Sequence, residues 1–464
     1  MIQGYKEFLE AKTERFLGVG FEPDGLNRNL MPFQQDIVRW ACMKGRAAVF
    51  SDCGTGKSIM QLAWADAVAD YTDGDVLILA PLSVAQQTVQ EGQKFGIEAH
   101  YSRNGKPAGR ITTANYEMLH HFTASDFAAV VMDESSLLKS ATGATRCAII
   151  EAFRATEFRL ACTATPAPND YLELGNHSEF LGIMKQTDMM SKFFYHDGGE
   201  TQNWTLKGHA EEEFWKWVCS WAVMLRKPSD IGHSDDGFVL PKLSTFQHTI
   251  SVATKAVAED LFGDVIVANT LNEQRDARRE SLDARVEACA AMVNGDSDAW
   301  LVWCDLNAEG DALEKAIHGA VQVSGADSLD QKVEKIRQFT SGEARVLVTK
   351  PKVAGMGLNL QHCHKEAFVG VTHSFEAYYQ AVRRCWRFGQ KDEVSVHLFC
   401  SEREGPVLDN LMRKEQDAAI MVAEMLKHVA IHQDIAKSIR EHDEYTPQHA
   451  IKFPEWLREN GAVE

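Results

Sequence analysis

The sequence predicts an α/β protein made of two parallel-sheet lobes in tandem, with a helical insertion after the first. Three observations carry this expectation. Short apolar runs alternate with helical patterns in both halves of the chain, as in repeated strand-helix units. The rhythm breaks between about Leu172 and Gly237, where "EEEFWKWVCSWAVMLRKPSD" is helical in pattern and rich in tryptophan. At 464 residues the chain has length for two or three domains, each with its own core.

Taken in order, residues 1–27 read as an N-terminal helical extension, because "MIQGYKEFLEAKTERF" is amphipathic and not a signal peptide. The first lobe is expected over 28–171, with strands at Ala47–Ser51, Val76–Ala80, Ile111–Thr113, Ala129–Asp133 and Arg159–Thr163. Each is a short, nearly continuous apolar run, the pattern of a strand covered on both faces. Residues 172–240 form the helical insertion. The second lobe spans 241–427: a long charged helix at about Asn272–Asn294 precedes strands at Trp300–Cys304, Ala320–Val323, Val346–Thr349, Ala367–Val371 and Val394–Phe399. Residues 428–464 read as a final helix and polar tail, with "FPEWL" available to pin the tail to the body.

Composition narrows the function. The chain is 45% hydrophobic and 25% charged, with a formal net charge of −18. That balance argues against a basic nucleic-acid coat, so any DNA contact is confined to a groove. No apolar run approaches a membrane span, and no membrane association is expected. Ten cysteines without a C-x-x-C pair read as reduced interior residues of a cytosolic protein. The cluster "QHCH", Gln361–His364, lies between a glycine loop and a strand and reads as packing in preference to metal ligation.

The chemistry begins at "FSDCGTGKSIMQLAWADAV", a strand end, a glycine loop and a helix. Gly54 and Gly56 can reach positive φ and let backbone N–H groups approach an anion, to which the helix beginning near Lys57 aims its positive end. Lys57 can neutralise phosphate charge, and the Ser58 hydroxyl can bind Mg²⁺. Ser51 stands where the longer G-x-x-x-x-G-K-[ST] pattern has its first glycine. Downstream, "AAVVMDESS" puts Asp133 and Glu134 at the end of a buried strand, where one carboxylate can serve a metal and the other an attacking water. In the second half, "YYQAVRRCWRFGQ" gathers Arg383, Arg384 and Arg387 beside Lys391. Arg384 and Arg387, three apart, would share a helical face and reach one anion together.

In order and wording these segments resemble superfamily 2 helicases, specifically the Swi/Snf-like branch of DNA translocases. "MPFQQDIVRW" resembles the adenine-reading glutamine segment, and "SDCGTGKS" matches the D-x-G-x-G-K-[ST] form of motif I. "LAPLSVAQQ" and "ITTANYEML" resemble motifs Ia and Ib. "MDESSLLKS" stands for D-E-A-H-x-L-K-N, "LACTATPAPND" for motif III, "VAGMGLNL" for motif V and "QAVRRCWRFGQ" for motif VI. The resemblance covers about residues 28–427 and is nearest to compact forms from phages and bacteria.

What the resemblance implies is a pair of RecA-like lobes and a DNA-stimulated ATPase that moves along or remodels double-stranded DNA. Gln34 would read adenine; Gly54, Thr55, Gly56, Lys57, Ser58 and Gly357 would hold ATP; Ser58 and Asp133 would hold Mg²⁺. Glu134 would be the catalytic base, Arg384 and Arg387 the arginine fingers, and Gln380 a sensor of the γ-phosphate. Thr163 and Thr165 would link the ATP site to DNA, with Ser83, Thr113, Lys350, Lys352 and Asn359 as candidates for touching its backbone. Three positions depart from the pattern: Ser136 replaces a histidine, Arg383 a glycine and Pro351 a small hydroxyl residue. The expected location is the cytoplasm of a bacterial or phage-infected cell. Competing readings are an RNA or single-strand helicase, and an ATP-switched clamp that recruits a nuclease or other DNA-processing partner.

Overall fold

The computed structural model describes residues 18–139, 143–196, 204–251, 271–354 and 359–438. Two all-parallel sheets lie in tandem. The first contains β1 (Arg46–Ser51), β2 (Val76–Ala80), β3 (His100–Tyr101), β4 (Ile111–Asn115), β5 (Ala129–Asp133), β6 (Phe158–Thr163) and, after the short antiparallel pair β7 (Phe194–His196) and β8 (Trp204–Leu206), β9 (Ala222–Leu225). Its order is β3-β4-β2-β5-β6-β1-β9. The second contains β10 (Leu243–Ile250), β11 (Trp300–Cys304), β12 (Ala320–Val323), β13 (Val346–Thr349), β14 (Lys365–Val369) and β15 (Val394–Ser401) in the order β10-β15-β14-β11-β13-β12.

Strands β2, β4 and β5 are buried at every position, as a parallel sheet covered on both faces requires. Alternate residues feed two cores. Val49, Ile78, Val131 and Leu160 pack on the helices Pro32–Lys44 and Lys57–Thr72, while Phe50, Leu77, Leu79, Val130 and Met132 face the opposite side. That opposite side is roofed by Phe214, Trp215, Trp217 and Trp221, all from the tryptophan-rich segment.

This corrects the expectation of a strandless insertion at 172–240. The segment covers one face of the first sheet and adds β9 to it, in register with β1 from Ala48–Ala222 to Ser51–Leu225. The "WAVML" run looks helical because tryptophans precede it, yet a four-residue buried edge strand has no room for period-two alternation. Further expectations change or go untested. The amphipathic stretch at residues 1–17 lies outside the described residues; residues 18–27 hold no helix, and Val19 and Phe21 donate backbone N–H groups to Lys44 and Cys42 at the end of the Pro32–Lys44 helix. The charged helix is two, Leu271–Glu280 and Leu282–Asn294, broken where the Ser281 hydroxyl bonds back to the Ala277 carbonyl. The helix Gly405–Ser438 runs unbroken through the boundary placed at 427, and its Met421, Val422, Met425 and Val429 pack into the first lobe's core. The remaining tail, "FPEWL" included, lies outside the described residues.

Candidate nucleotide site between the lobes

Sheet order alone assembles the first half of the site. Because β5, β6 and β1 are neighbours, the loop after β1, the acidic pair ending β5 and Thr163 ending β6 emerge side by side. Gly54 and Gly56 both have φ of +90°. A Cβ on Gly56 would stand 2.3 Å from the Gln34 amide nitrogen, and one on Gly54 would meet the Phe388 ring at 2.9 Å, so neither position admits a side chain. Thr55, buried, donates its hydroxyl to the Asp52 carbonyl at 2.8 Å, and the Ser51 hydroxyl lies in hydrogen-bond contact with it at 3.0 Å. Ser51 thereby braces the loop from the place where the longer phosphate-loop pattern carries glycine.

Lys57 and Ser58 open the Lys57–Thr72 helix, whose first N–H groups have no helical partner. Lys57 Nζ donates to the Ser51 carbonyl at 2.9 Å. Burial works against its charge, but the fields of Cys53, Glu134, Asp133 and Asp52 outweigh burial and raise its pKa. Gln34 accepts from the Met31 N–H at 3.0 Å and donates to the Thr55 carbonyl at 2.9 Å. One amide proton and one lone pair remain for a base.

Asp133 is 4% exposed; its Oδ1 accepts from Gln61 Nε2 at 2.7 Å and from the Glu134 N–H at 3.0 Å. Both bonds fall on one oxygen, so Oδ2 carries neither. Desolvation raises the Asp133 pKa, against the pull of Gln61, Lys57 and the Glu134 N–H. Glu134 adopts φ of +53°, a conformation few non-glycine residues hold without support. Its carboxylate takes the Thr163 hydroxyl at 3.3 Å, and burial pushes its pKa up to about 7. Lys57 and Arg384 oppose that rise, whereas Asp133 and Glu376 add to it.

The second lobe supplies the rest. Its helix Phe375–Val382 ends at Val382, so Arg384 and Arg387 lie in the turns that follow and not on a shared helical face, as spacing had led us to expect. Gln390 shapes these turns: its Nε2 donates to the carbonyls of Gln361, Cys363 and Cys385. Gln361 and Cys363 of "QHCH" thus brace the arginine segment, while His362 packs edge-on against Phe339. Arg384 feels the field of Glu134 across the lobes. Burial lowers the pKa of both Arg384 and Arg387, and Arg387 feels Arg384 beside it. Gln380 is half-buried on the Phe375–Val382 helix.

Residues that sequence reasoning passed over complete the junction. Asp52 accepts from Arg383 and Tyr379, and Phe388 covers Gly54. Glu376 accepts from Ser136 and Lys139 across the lobes, so the serine standing for histidine is an inter-lobe contact. Gln61, one turn beyond Lys57, could have been found from helical spacing.

The DNA candidates fare unevenly. Thr113 is fully buried and spends its hydroxyl on the Ala85 carbonyl at 3.0 Å, so it does not face a groove. Thr163 bonds Glu134 and accepts the Thr165 N–H at 3.1 Å, while the buried Thr165 hydroxyl has no partner among the described residues. Lys350 is half-buried at the end of β13; Lys352 and Asn359 are exposed. The side chain of Ser83 and all of Gly357 lie outside the described residues.

Two parallel sheets, a phosphate loop on one and an arginine segment on the other, make an arrangement similar to the core of superfamily 2 helicases. Residues 286–389 match the helicase conserved C-terminal domain, which covers most of the second lobe. Three curated relatives share the name DNA annealing helicase and endonuclease ZRANB3. The chain is 20% identical to that of Mus musculus over 451 residues, 86% of this chain and 41% of that protein. The figures are 20% over 449 residues for Bos taurus, covering 87% and 41%, and 20% over 439 residues for Homo sapiens, covering 84% and 40%. The chain therefore spans about two fifths of the length of these relatives. Among solved structures it is similar to the Sulfolobus solfataricus SWI2/SNF2 ATPase core in complex with dsDNA, at 18% identity and a TM-score of 0.41, covering 88% of this chain and 98% of that one. The helicase domain match and these relatives agree with the resemblance to the Swi/Snf-like branch.

Proposed function

We propose that the chain hydrolyses ATP between its lobes and uses the resulting movement to translocate along double-stranded DNA. The observation that carries this is the junction itself, where Ser136 and Lys139, just beyond the acidic pair, donate to Glu376 of the second lobe, and Asp52 of the phosphate loop accepts from Arg383 and Tyr379. A site divided between two bodies can be completed and dismantled by their motion.

In this reading the loop from Gly54 to Ser58 cradles the phosphates and Gln34 meets adenine. Ser58 and Asp133 fit Mg²⁺, since an Asp133 oxygen is left over by the bonds to Gln61 and Glu134, and one carboxylate with a hydroxyl suffices beside phosphate oxygens. Bound there, the ion would neutralise charge between the β- and γ-phosphates. Glu134 takes the proton of the attacking water, Arg384 and Arg387 stabilise charge on the transferring phosphoryl group, and Gln380 senses it. Thr163, bonded to Glu134, and Thr165 pass the state of that carboxylate toward the DNA side. Lys352 and Asn359 are exposed on the second lobe and available to a DNA backbone.

The curated relatives are named for DNA annealing, which supports DNA as the track over RNA. A nuclease partner remains part of the proposal only as a protein the motor would serve. The test is ATP turnover with duplex DNA, single-stranded DNA and RNA. Strong stimulation by duplex DNA that Glu134→Gln abolishes is expected; stimulation by RNA alone contradicts the reading, and binding without turnover favours the clamp.

A further inference from the structure

Arg383 stands where the resemblance has glycine, and it is among the most buried side chains of the protein, at 1% exposure. It comes from the second lobe but its partners belong to the first. One terminal nitrogen lies 2.8 Å from an Asp52 carboxylate oxygen and 2.8 Å from the Cys53 carbonyl, both in the phosphate loop. The other Asp52 oxygen accepts the Tyr379 hydroxyl, again from the second lobe. The guanidinium is held among three rings of its own lobe, 4.8 Å from the centre of Trp386, 5.9 Å from Tyr379 and 5.8 Å from Phe388. Phe388 in turn packs on Phe238, 4.8 Å between centres, and Phe238 on Phe33, 5.2 Å away.

We infer that Arg383 is a positioning residue that docks the arginine segment onto the phosphate loop through Asp52, closing the lobes before nucleotide binds and presetting Arg384 and Arg387. The contact uses the Asp52 side chain and the Cys53 carbonyl and takes none of the loop N–H groups, of which that of Cys53 goes to Asp52 Oδ1 at 2.6 Å and that of Thr55 to the Asp52 carbonyl at 3.4 Å. It is therefore compatible with a bound nucleotide. A glycine here would leave closure to be driven by the nucleotide, whose apparent affinity is then reduced by the fraction of molecules already closed. An arginine removes that reduction. The pair is also desolvated, so it resists salt screening better than an exposed bridge.

This inference rests on the proposed function for its kinetic consequence, but not for its structural one. The structural arm is solution scattering of nucleotide-free protein. The wild type is expected to be compact, and Arg383→Gly and Asp52→Asn, which break one pair from opposite lobes, are each expected to increase the radius of gyration. The double variant should expand no further than either single one. In the kinetic arm, Arg383→Gly should raise KM for ATP about tenfold and lower kcat less than threefold, with Arg383→Lys restoring part of the KM. Unchanged dimensions in both variants would overturn the inference. So would a loss of kcat as deep as that of Arg384→Ala, because Arg383 would then be a finger itself. A wild type without ATPase activity would refute the proposed function and leave the scattering result to decide the docking.

Discussion

At the scale of single residues the account turns on Glu134 and its surroundings. Burial and Asp133 raise its pKa to about 7, so in the free protein near neutral pH it is part protonated and unable to accept a proton from water. The kcat/KM for ATP should rise with pH through that region and level off above it, since this parameter reports ionisations of the free enzyme. A flat profile from pH 6 to 8 would remove Glu134 as the base. Lys57→Ala is expected to abolish ATP binding, whereas Glu134→Gln should bind ATP and turn it over far more slowly, a contrast that calorimetry and turnover resolve together. For Arg384→Ala and Arg387→Ala we expect turnover to fall by about 10³ or more with modest change in affinity, the scale of a finger acting in the transition state. Near-parental turnover in either variant would strip that arginine of its role. The chemistry at this scale was legible because phosphate loops and acidic strand ends are local in sequence. Asp52 and Glu376 were not, because their partners lie more than two hundred residues away and nothing local marks a carboxylate that will meet them.

At the scale of elements, strands of the first lobe could be read to within a residue or two because five of them are short, largely apolar or small-residue runs buried at nearly every position. The strands missed are those with less to show. β3 has two residues, β9 has four, and β10 is an edge strand whose exposed Phe246 and Gln247 break any alternation. The tryptophan-rich segment was misjudged for a related reason: its apolar residues face the sheet of its own lobe, a tertiary fact that local periodicity does not carry. A consequence follows for stability. Trp221 is fully buried against Phe50 and Trp217. Trp221→Ala should destabilise the first lobe by about 3–5 kcal/mol, measurable as a lower denaturant midpoint. A true protruding insertion would lose only its own structure and leave the ATP-binding sheet intact, so ATP affinity that survives unfolding of the tryptophan layer would contradict this assignment.

At the scale of the whole molecule, the described residues join the lobes at two places. One is the ATP site. The other is the Gly405–Ser438 helix, where Lys414 reaches the Asn169 side chain at 2.8 Å and Tyr171 donates to the Asp417 carbonyl at 3.2 Å. Two attachments around one cleft permit a repeated closing and opening with each ATP consumed. With a net charge of −18, DNA affinity must come from a few basic groups, so it should be modest and fall steeply with added salt. The central claim, ATP-driven movement on duplex DNA, is tested most directly by displacement of a third strand from a duplex. The account predicts ATP-dependent displacement by the wild type and none by Lys57→Ala or Arg384→Ala; displacement that persists without ATP, or none by a wild type whose ATPase responds to duplex DNA, would contradict it.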